Sequence, residues 1–142
     1  MYVIDTVPQP AANTDWTYTV PAQRLLRLFA ITAACAWRDL SSYTVTLAIG
    51  DGTYTYPVAT HVNIIPLTVL PSQMTWSPCA YSRELASAFQ VPVFYDWIPT
   101  VVLPGGYTIA STVVNLAPVS FRHQWSNVTI WGDDLNLGPQ VA

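Results

Sequence analysis

Apolar and polar residues alternate with a period of two along most of this chain. "WTYTV" (Trp16 to Val20) alternates aromatic or β-branched residues with threonine. "YTVTLAI" puts Tyr43, Val45, Leu47 and Ile49 on one face and Thr44, Thr46 and Ala48 on the other. Such alternation is the mark of a half-buried strand, because successive side chains on a strand point to opposite faces. "GDG" (Gly50 to Gly52) reads as a tight turn, and "TYTYPVA" continues beyond it with Tyr54, Tyr56 and Val58 in alternation. "VPVFYDW" (Val91 to Trp97) predicts another strand. "TVVLPGGYTIASTVVNL" predicts strand, turn and strand, with Pro104 to Gly106 as the turn. "VSFRHQW" and "SNVTIWG" add one or two closing strands.

Three stretches are harder to place. In "VPAQRLLRLFAITAACAW" (Val20 to Trp37), Leu25, Leu28, Phe29 and Thr32 fit a helical face with Pro21 in the first turn. The neighbouring strands favour a different reading: a long strand over residues 24–33, buried on both faces along part of its length and entered through a "VPAQ" turn. "HVNIIPLTVLPSQMTW" contains Pro66 and Pro71, which confine it to edge strands or irregular segments. "SPCAYSRELASAF" (Ser77 to Phe89) allows a short helix over residues 78–89, with Ser77 as N-cap and Pro78 as first helical residue. Short strands at this spacing predict an all-β, antiparallel β-sandwich, jelly-roll-like in type. The expected organisation is an extended N-terminal arm (1–15), one sandwich domain (16–131) and a C-terminal tail (132–142). Leu26, Leu28, Phe29, Val45, Leu47, Ile49, Ile109 and Val113 are expected to line its inner faces.

The length of 142 residues suits one domain with a core of its own. Charge changes the picture more than length does. Only 9% of residues are charged, against roughly 25% in an ordinary domain. Lysine is absent, and the basic residues are Arg24, Arg27, Arg38, Arg83 and Arg122. A 15.7 kDa monomer should expose about 7,300 Å². Thirteen formal charges on that area are sparse. Either Thr, Ser, Asn and Gln keep the chain soluble, or partners cover much of the surface. The net charge of −3 gives little drive toward nucleic acid. No apolar run reaches the ~18 residues of a membrane span. "MYVIDTVPQP" lacks the basic and apolar regions of a signal peptide, so synthesis in a cytoplasm is expected.

Candidate chemistry is thin. Cys35 and Cys79, 44 residues apart, form no CxxC motif and are expected to be two buried thiols; a reducing cytoplasm disfavours a disulfide between them. His61 and His123 sit in no metal spacing and read as structural or surface residues. Asp133 and Asp134 are adjacent, so on an extended segment their side chains diverge and make a poor dyad. No nucleophile elbow, phosphate loop or dinucleotide fingerprint occurs. No catalytic residue, cofactor or metal site is therefore expected. The aromatic residues remain. Six Trp and eight Tyr could form a sugar-stacking platform, but alternation with Thr on strands favours core and subunit interface.

Two segments carry a resemblance. "WTYTVPAQRLLRLFAITAACAW…YTVTLAIGDGTYTYPV" and "LPGGYTIASTVVNLAPVSFRHQWSNVTIWGDD" resemble small structural proteins of tailed bacteriophages. The shared pattern is an aromatic-Thr-Val-Pro-Ala entry, an Arg-containing apolar strand and an Asp-Gly turn. A Leu-Pro-x-Gly-aromatic-Thr turn, two closing strands and an acidic tail follow. The resemblance covers residues 16–60 and 102–134. It implies a β-sandwich located in a virion, with no active site.

Three functions compete at this point. The resemblance and the missing charge favour a capsid decoration or cement protein binding across major capsid subunits, made in the host cytoplasm. A tail, neck or fibre sandwich that binds a receptor or glycan is the alternative. A hydrolase would need a pocket where His61 or His123 meets a carboxylate. Beyond the inner faces the chain has spare apolar groups, Tyr54, Tyr56, Phe94, Trp97, Trp125 and Trp131, as expected interface residues. They predict a homo-oligomer or contacts with other virion subunits. A trimer is favoured over a dimer because capsid lattices offer three-fold positions. Neither nucleic acid nor membrane is an expected partner.

Overall fold

The computed structural model describes residues 1–37, 43–64, 71–79, 83–86, 92–115 and 123–137. They form eleven strands: β1 (Tyr2–Thr6), β2 (Thr17–Thr19), β3 (Leu25–Trp37), β4 (Tyr43–Gly50), β5 (Thr55–Ile64), β6 (Ser72–Ser77), β7 (Arg83–Ala86), β8 (Pro92–Trp97), β9 (Val102–Pro104), β10 (Thr108–Asn115) and β11 (His123–Asp134). A 3-10 turn, Leu135–Leu137, follows β11. Two sheets pack face to face as an all-β sandwich. One sheet runs β1-β11-β3-β6-β8-β7, with β9 also paired to β3; the other runs β2-β10-β4-β5.

The opening ambiguity resolves as a strand. β3 carries 13 residues, and Ala33, Ala34 and Cys35 are buried in succession, so the strand is covered on both faces there. β11 flanks one side of β3, while β9 and β6 lie end to end along the other. Pro21 and Arg24 close the entering turn through an N–H···O bond of 2.9 Å. β4 buries Tyr43, Val45, Leu47 and Ile49, the face that the alternation assigns.

The connections explain how two sheets form from one set of strands. β3 pairs with β11 in the first sheet, and β4 pairs with β10 in the second, all antiparallel. These nested pairings wrap the chain as in a jelly roll. β5 then returns on β4 as a hairpin, and β6 and β8 pair in parallel, so the wrapping stops at the outer layers. The Pro104–Gly106 turn joins β9 to β10, but these strands belong to different sheets. It is a corner, closed by Tyr107 N–H to Pro104 O at 3.2 Å, with Gly106 at φ 90° where a side chain would be strained.

Several expectations differ from the structure. Residues 83–86, inside the expected helix, form a strand antiparallel to β8; pairing with a neighbouring strand supplies backbone partners that a short isolated helix would lack. The rest of that segment from Ala80 lies largely outside the described residues. β6 is an interior strand rather than an edge, because Pro71 stands before it and no proline interrupts its ladder. The N-terminal arm is built into the domain: β1 pairs with β11 from Tyr2↔Asp133 to Thr6↔Thr129, and Asn13 N–H bonds His123 O. Gly132 to Asp134 likewise belong to β11, not to a tail. The described part of the closing segments, His123–Asp134, is one strand with a bulge at Ser126–Thr129, where Asn127 takes φ 52°.

The core is contiguous between the sheets. Trp16, Trp37, Trp125, Tyr43, Phe94, Leu26, Leu28 and Ile109 are among its largest fully buried members. Trp37 Nε1 donates to Ser72 Oγ at 2.6 Å, so its polar end is satisfied where no water reaches.

Candidate functional surfaces

The six expected interface residues divide between surface and core. Tyr54, Tyr56, Trp97 and Trp131 are 64%, 53%, 52% and 39% exposed. Phe94 and Trp125 are 2% and 0% exposed and belong to the core. On β8, Phe94 and Asp96 face inward, so Tyr95 and Trp97 face solvent. On β11, the bulge shifts the phase: Trp125 faces inward before it, while Val128 and Ile130 face inward after it. Trp131, six residues beyond Trp125, therefore faces out. Phe29 departs in the other direction, from expected core to exposed position. It is the extra residue on β3 where the register passes from Trp131↔Ala30 to Gly132↔Leu28.

These shifts collect aromatic groups on one outer face. Tyr2 and Ile4 from β1, Trp131 from β11, Phe29 from β3, and Tyr95 and Trp97 from β8 all reach solvent from the same sheet. Ile4 lies across from Trp131 in the ladder. Tyr2 and Phe29 rings are 6.3 Å apart, and the Arg27 guanidinium lies 5.3 Å from the Phe29 ring centre. Trp131 Nε1 donates to Thr32 Oγ1 at 2.9 Å, which ties the indole to β3. The opposite outer face is different in chemistry. It carries Thr17, Thr46, Thr60 and Thr112 in neighbouring ladders, with Thr46 and Thr60 hydroxyls 3.4 Å apart. Tyr54 and Tyr56 are exposed beside the Asp51 turn, Tyr56 across the ladder from Ile49, with ring centres 6.4 Å apart.

Charged groups are paired within the chain. Asp5 accepts from Tyr18 Oη at 2.5 Å and from Arg24 Nη1. Arg24 Nε also lies 3.6 Å from Asp134 Oδ2. Asp134 Oδ1 accepts from the N–H groups of Leu25 (3.2 Å) and Asn136 (3.0 Å). Burial and the bond to Asp5 push the Tyr18 phenol up to about 12. Asp133 turns the other way, as expected of adjacent strand residues. It meets the Met1 amino group at 2.7 Å and Arg27 Nη2 at 3.1 Å, and the amino group first of all holds its carboxyl below the usual range.

Both histidines meet a carboxylate, a pairing that nothing in the linear spacing signals. His61 Nδ1 on β5 lies 3.0 Å from Asp96 Oδ1 on β8, bridging the sheets, with the Phe94 ring against the imidazole. His123 Nε2 lies 3.5 Å from Asp15 Oδ1. Asp15 also accepts from Trp125 Nε1 (2.8 Å), Ser111 Oγ (3.2 Å) and Val113 N–H (3.1 Å). Burial raises the Asp15 carboxyl, but bonds from His123, Trp125 and Val113 outweigh it, and the net shift is downward. The serine hydroxyl here bonds the carboxylate and is itself buried, so the arrangement anchors residue 15 between β10 and β11 and does not activate an oxygen nucleophile. Cys35 is buried, and desolvation first, then Asp15, pushes its thiol well above the ordinary range. Cys79 is exposed rather than buried, and both thiols are free.

No protein-family model, curated protein or solved structure matches the chain.

Proposed function

We propose that this is a non-enzymatic structural protein of a tailed-phage virion, a decoration or cement protein that binds across major capsid subunits. The observation that carries the reading is the outer face bearing Tyr2, Ile4, Phe29, Trp97 and Trp131, an apolar surface of the kind that soluble monomers seldom leave uncovered. The likeness of residues 16–60 and 102–134 to phage structural proteins supports the virion as its place. Binding across subunit joints stabilises a shell by mass action, because the protein binds the assembled shell and not its separated parts. Homo-oligomers or heterologous contacts with virion subunits would both use the apolar face.

The test is particle stability. Particles lacking the protein should release DNA at a lower temperature than complete particles, and added protein should restore the difference. Equal release temperatures would exclude cementing. A second reading, glycan or receptor binding by a tail or fibre protein, is favoured by Tyr54 and Tyr56, exposed beside a turn. Specific retention on a glycan array, lost in Tyr54→Ala, would establish it in place of the first.

A further inference from the structure

The edge strand β1 has an unused hydrogen-bonding side. Asp134 N–H bonds Met1 O and Val7 N–H bonds Val128 O, both at 2.8 Å. In an antiparallel ladder the bonded residues alternate. The odd-numbered residues of β1 therefore turn their backbone toward β11, and Tyr2, Ile4 and Thr6 turn theirs away. All three are exposed, and among the described residues none of these outward N–H and C=O groups has a partner. Natural edges are usually blunted by lysine, proline, a bulge or a covering segment. Tyr2–Thr6 contains neither lysine nor proline, and its register with β11 is unbroken. Its one charge, Asp5, is turned to Tyr18 and Arg24.

We infer that β1 pairs antiparallel with β1 of a second copy, about a two-fold axis at Ile4, extending the larger sheet across two molecules. The occupant follows from self-complementarity. With Ile4 opposite Ile4 of the second copy, Tyr2 falls opposite Thr6, and every outward N–H and C=O of these residues finds a partner. A slip of one residue would match outward groups with groups already bonded to β11, and a slip of two leaves one residue unpaired on each side. In the centred register Asp5 faces Val3 rather than another acid, so no like charges oppose. Ile4 neighbours Trp131 on the same face, so the apolar row continues across the axis. A five-residue edge with this row is smaller than the ~800 Å² per partner of a standard interface, so the pair is reversible. A pair, rather than the trimer expected from lattice symmetry, is the unit that an isologous edge makes. The inference rests on the self-association part of the proposed function. It is tested on the purified protein, so failure of the virion role leaves its outcome unchanged.

Sedimentation equilibrium should show a concentration-dependent mass rising toward twice 15.7 kDa. Amide exchange at Tyr2, Ile4 and Thr6 should slow as concentration rises, while Val3 and Asp5 stay protected throughout. Ile4→Lys, which opposes two cations at the axis, should weaken the pair at least about tenfold. A register test does not depend on that variant's folding. In a Cys79→Ser background, Ile4→Cys should oxidise to a linked dimer, since paired Cα atoms at about 5.5 Å suit a disulfide. Tyr2→Cys should not, because the two positions would be about 14 Å apart along the strand. A monomer at every concentration, a trimer, a dimer indifferent to Ile4→Lys, or equal cross-linking of both cysteine variants would each overturn the inference.

Discussion

Asp15→Ala should be among the most destabilising single changes outside the apolar core. The Asp15 carboxylate joins the segment before β2 to two strands, through Trp125 Nε1, Val113 N–H and Ser111 Oγ. Trp125 and Val113 are buried, so removing the carboxylate strands two donors away from water. Each orphaned donor costs about 1–3 kcal/mol. Relief of the carboxylate's own desolvation offsets part of this, which leaves a loss of about 3 kcal/mol. In a domain near this size each kcal/mol moves Tm by about 3–4 °C, so the melting temperature should fall by roughly 10 °C at neutral pH. Asp15→Asn should not rescue it fully, because one carboxylate oxygen becomes an amide N–H₂ facing a backbone or indole donor. The sign of the pH dependence follows from the downward shift of Asp15. Its folded pKa lies below the unfolded value of about 3.9, so its contribution is present above that value and is lost as pH falls through the folded pKa. Differential scanning calorimetry of both proteins across acid pH would show the gap in Tm closing only below about pH 4. A Tm loss under about 3 °C, or a gap that persists unchanged into strong acid, would refute this role of the carboxylate.

Two further outcomes test the Tyr18–Asp5 bond and the close approach of β3 and β11. A rapid pH-jump ultraviolet titration should show a tyrosine step at about 12 that Tyr18→Phe removes. Because the folded pKa of Tyr18 is raised, its contribution is complete below pH ~10 and lost as pH rises toward 12; a high-pH step that is unchanged in Tyr18→Phe would contradict the Tyr18–Asp5 bond. Gly132→Ala should cost about 1–3 kcal/mol, since a Cβ there would stand 2.5 Å from Leu26 Cδ1 and 2.6 Å from Arg27 O, and a melt within about 1 °C of the parent would show the strands parting freely.

How much of this was readable in the sequence depended on whether parity held. β4 was legible residue by residue because its alternation is unbroken from Tyr43 to Ile49. The strand nature of β3 was legible from its neighbours, although its length was understated by Leu25–Trp37 reaching four residues beyond Ala33. The bulges were not legible. An extra residue reverses inside and outside for everything after it, and only Asn127, a residue that tolerates positive φ, hinted at one. That single shift separates Trp125 from Trp131. Asp96 misled in another way. A carboxylate on a strand ordinarily marks the wet face, and here it marks the buried one, because His61 meets it from the other sheet. The partner comes from 35 residues away, and no local pattern carries that information.

The scarcity of charge acquires a physical meaning once the partners are known. The described charged side chains are Asp5, Asp15, Arg24, Arg27, Asp51, Asp96, Asp133 and Asp134. Every one is bound within the chain: Asp5 with Arg24, Arg27 with Asp133, Asp96 with His61, and Asp15 in its cluster. Asp134 holds Leu25 N–H, and Asp51 caps its own turn through Thr53 and Tyr54 N–H at 2.8 and 2.7 Å. These charges pin loops and strand ends; threonine marks one outer face, and aromatic rings with the paired Arg27, Asp133 and Met1 amino group mark the other. An exposed charge both solubilises a sheet and repels further strands. Beside β1 and the aromatic face the charges are paired in place, Met1 and Arg27 with Asp133 and Asp5 with Arg24, so none of these stands unpaired as a guard. A sheet with so few unpaired charges is what the proposed pairing through β1 would require.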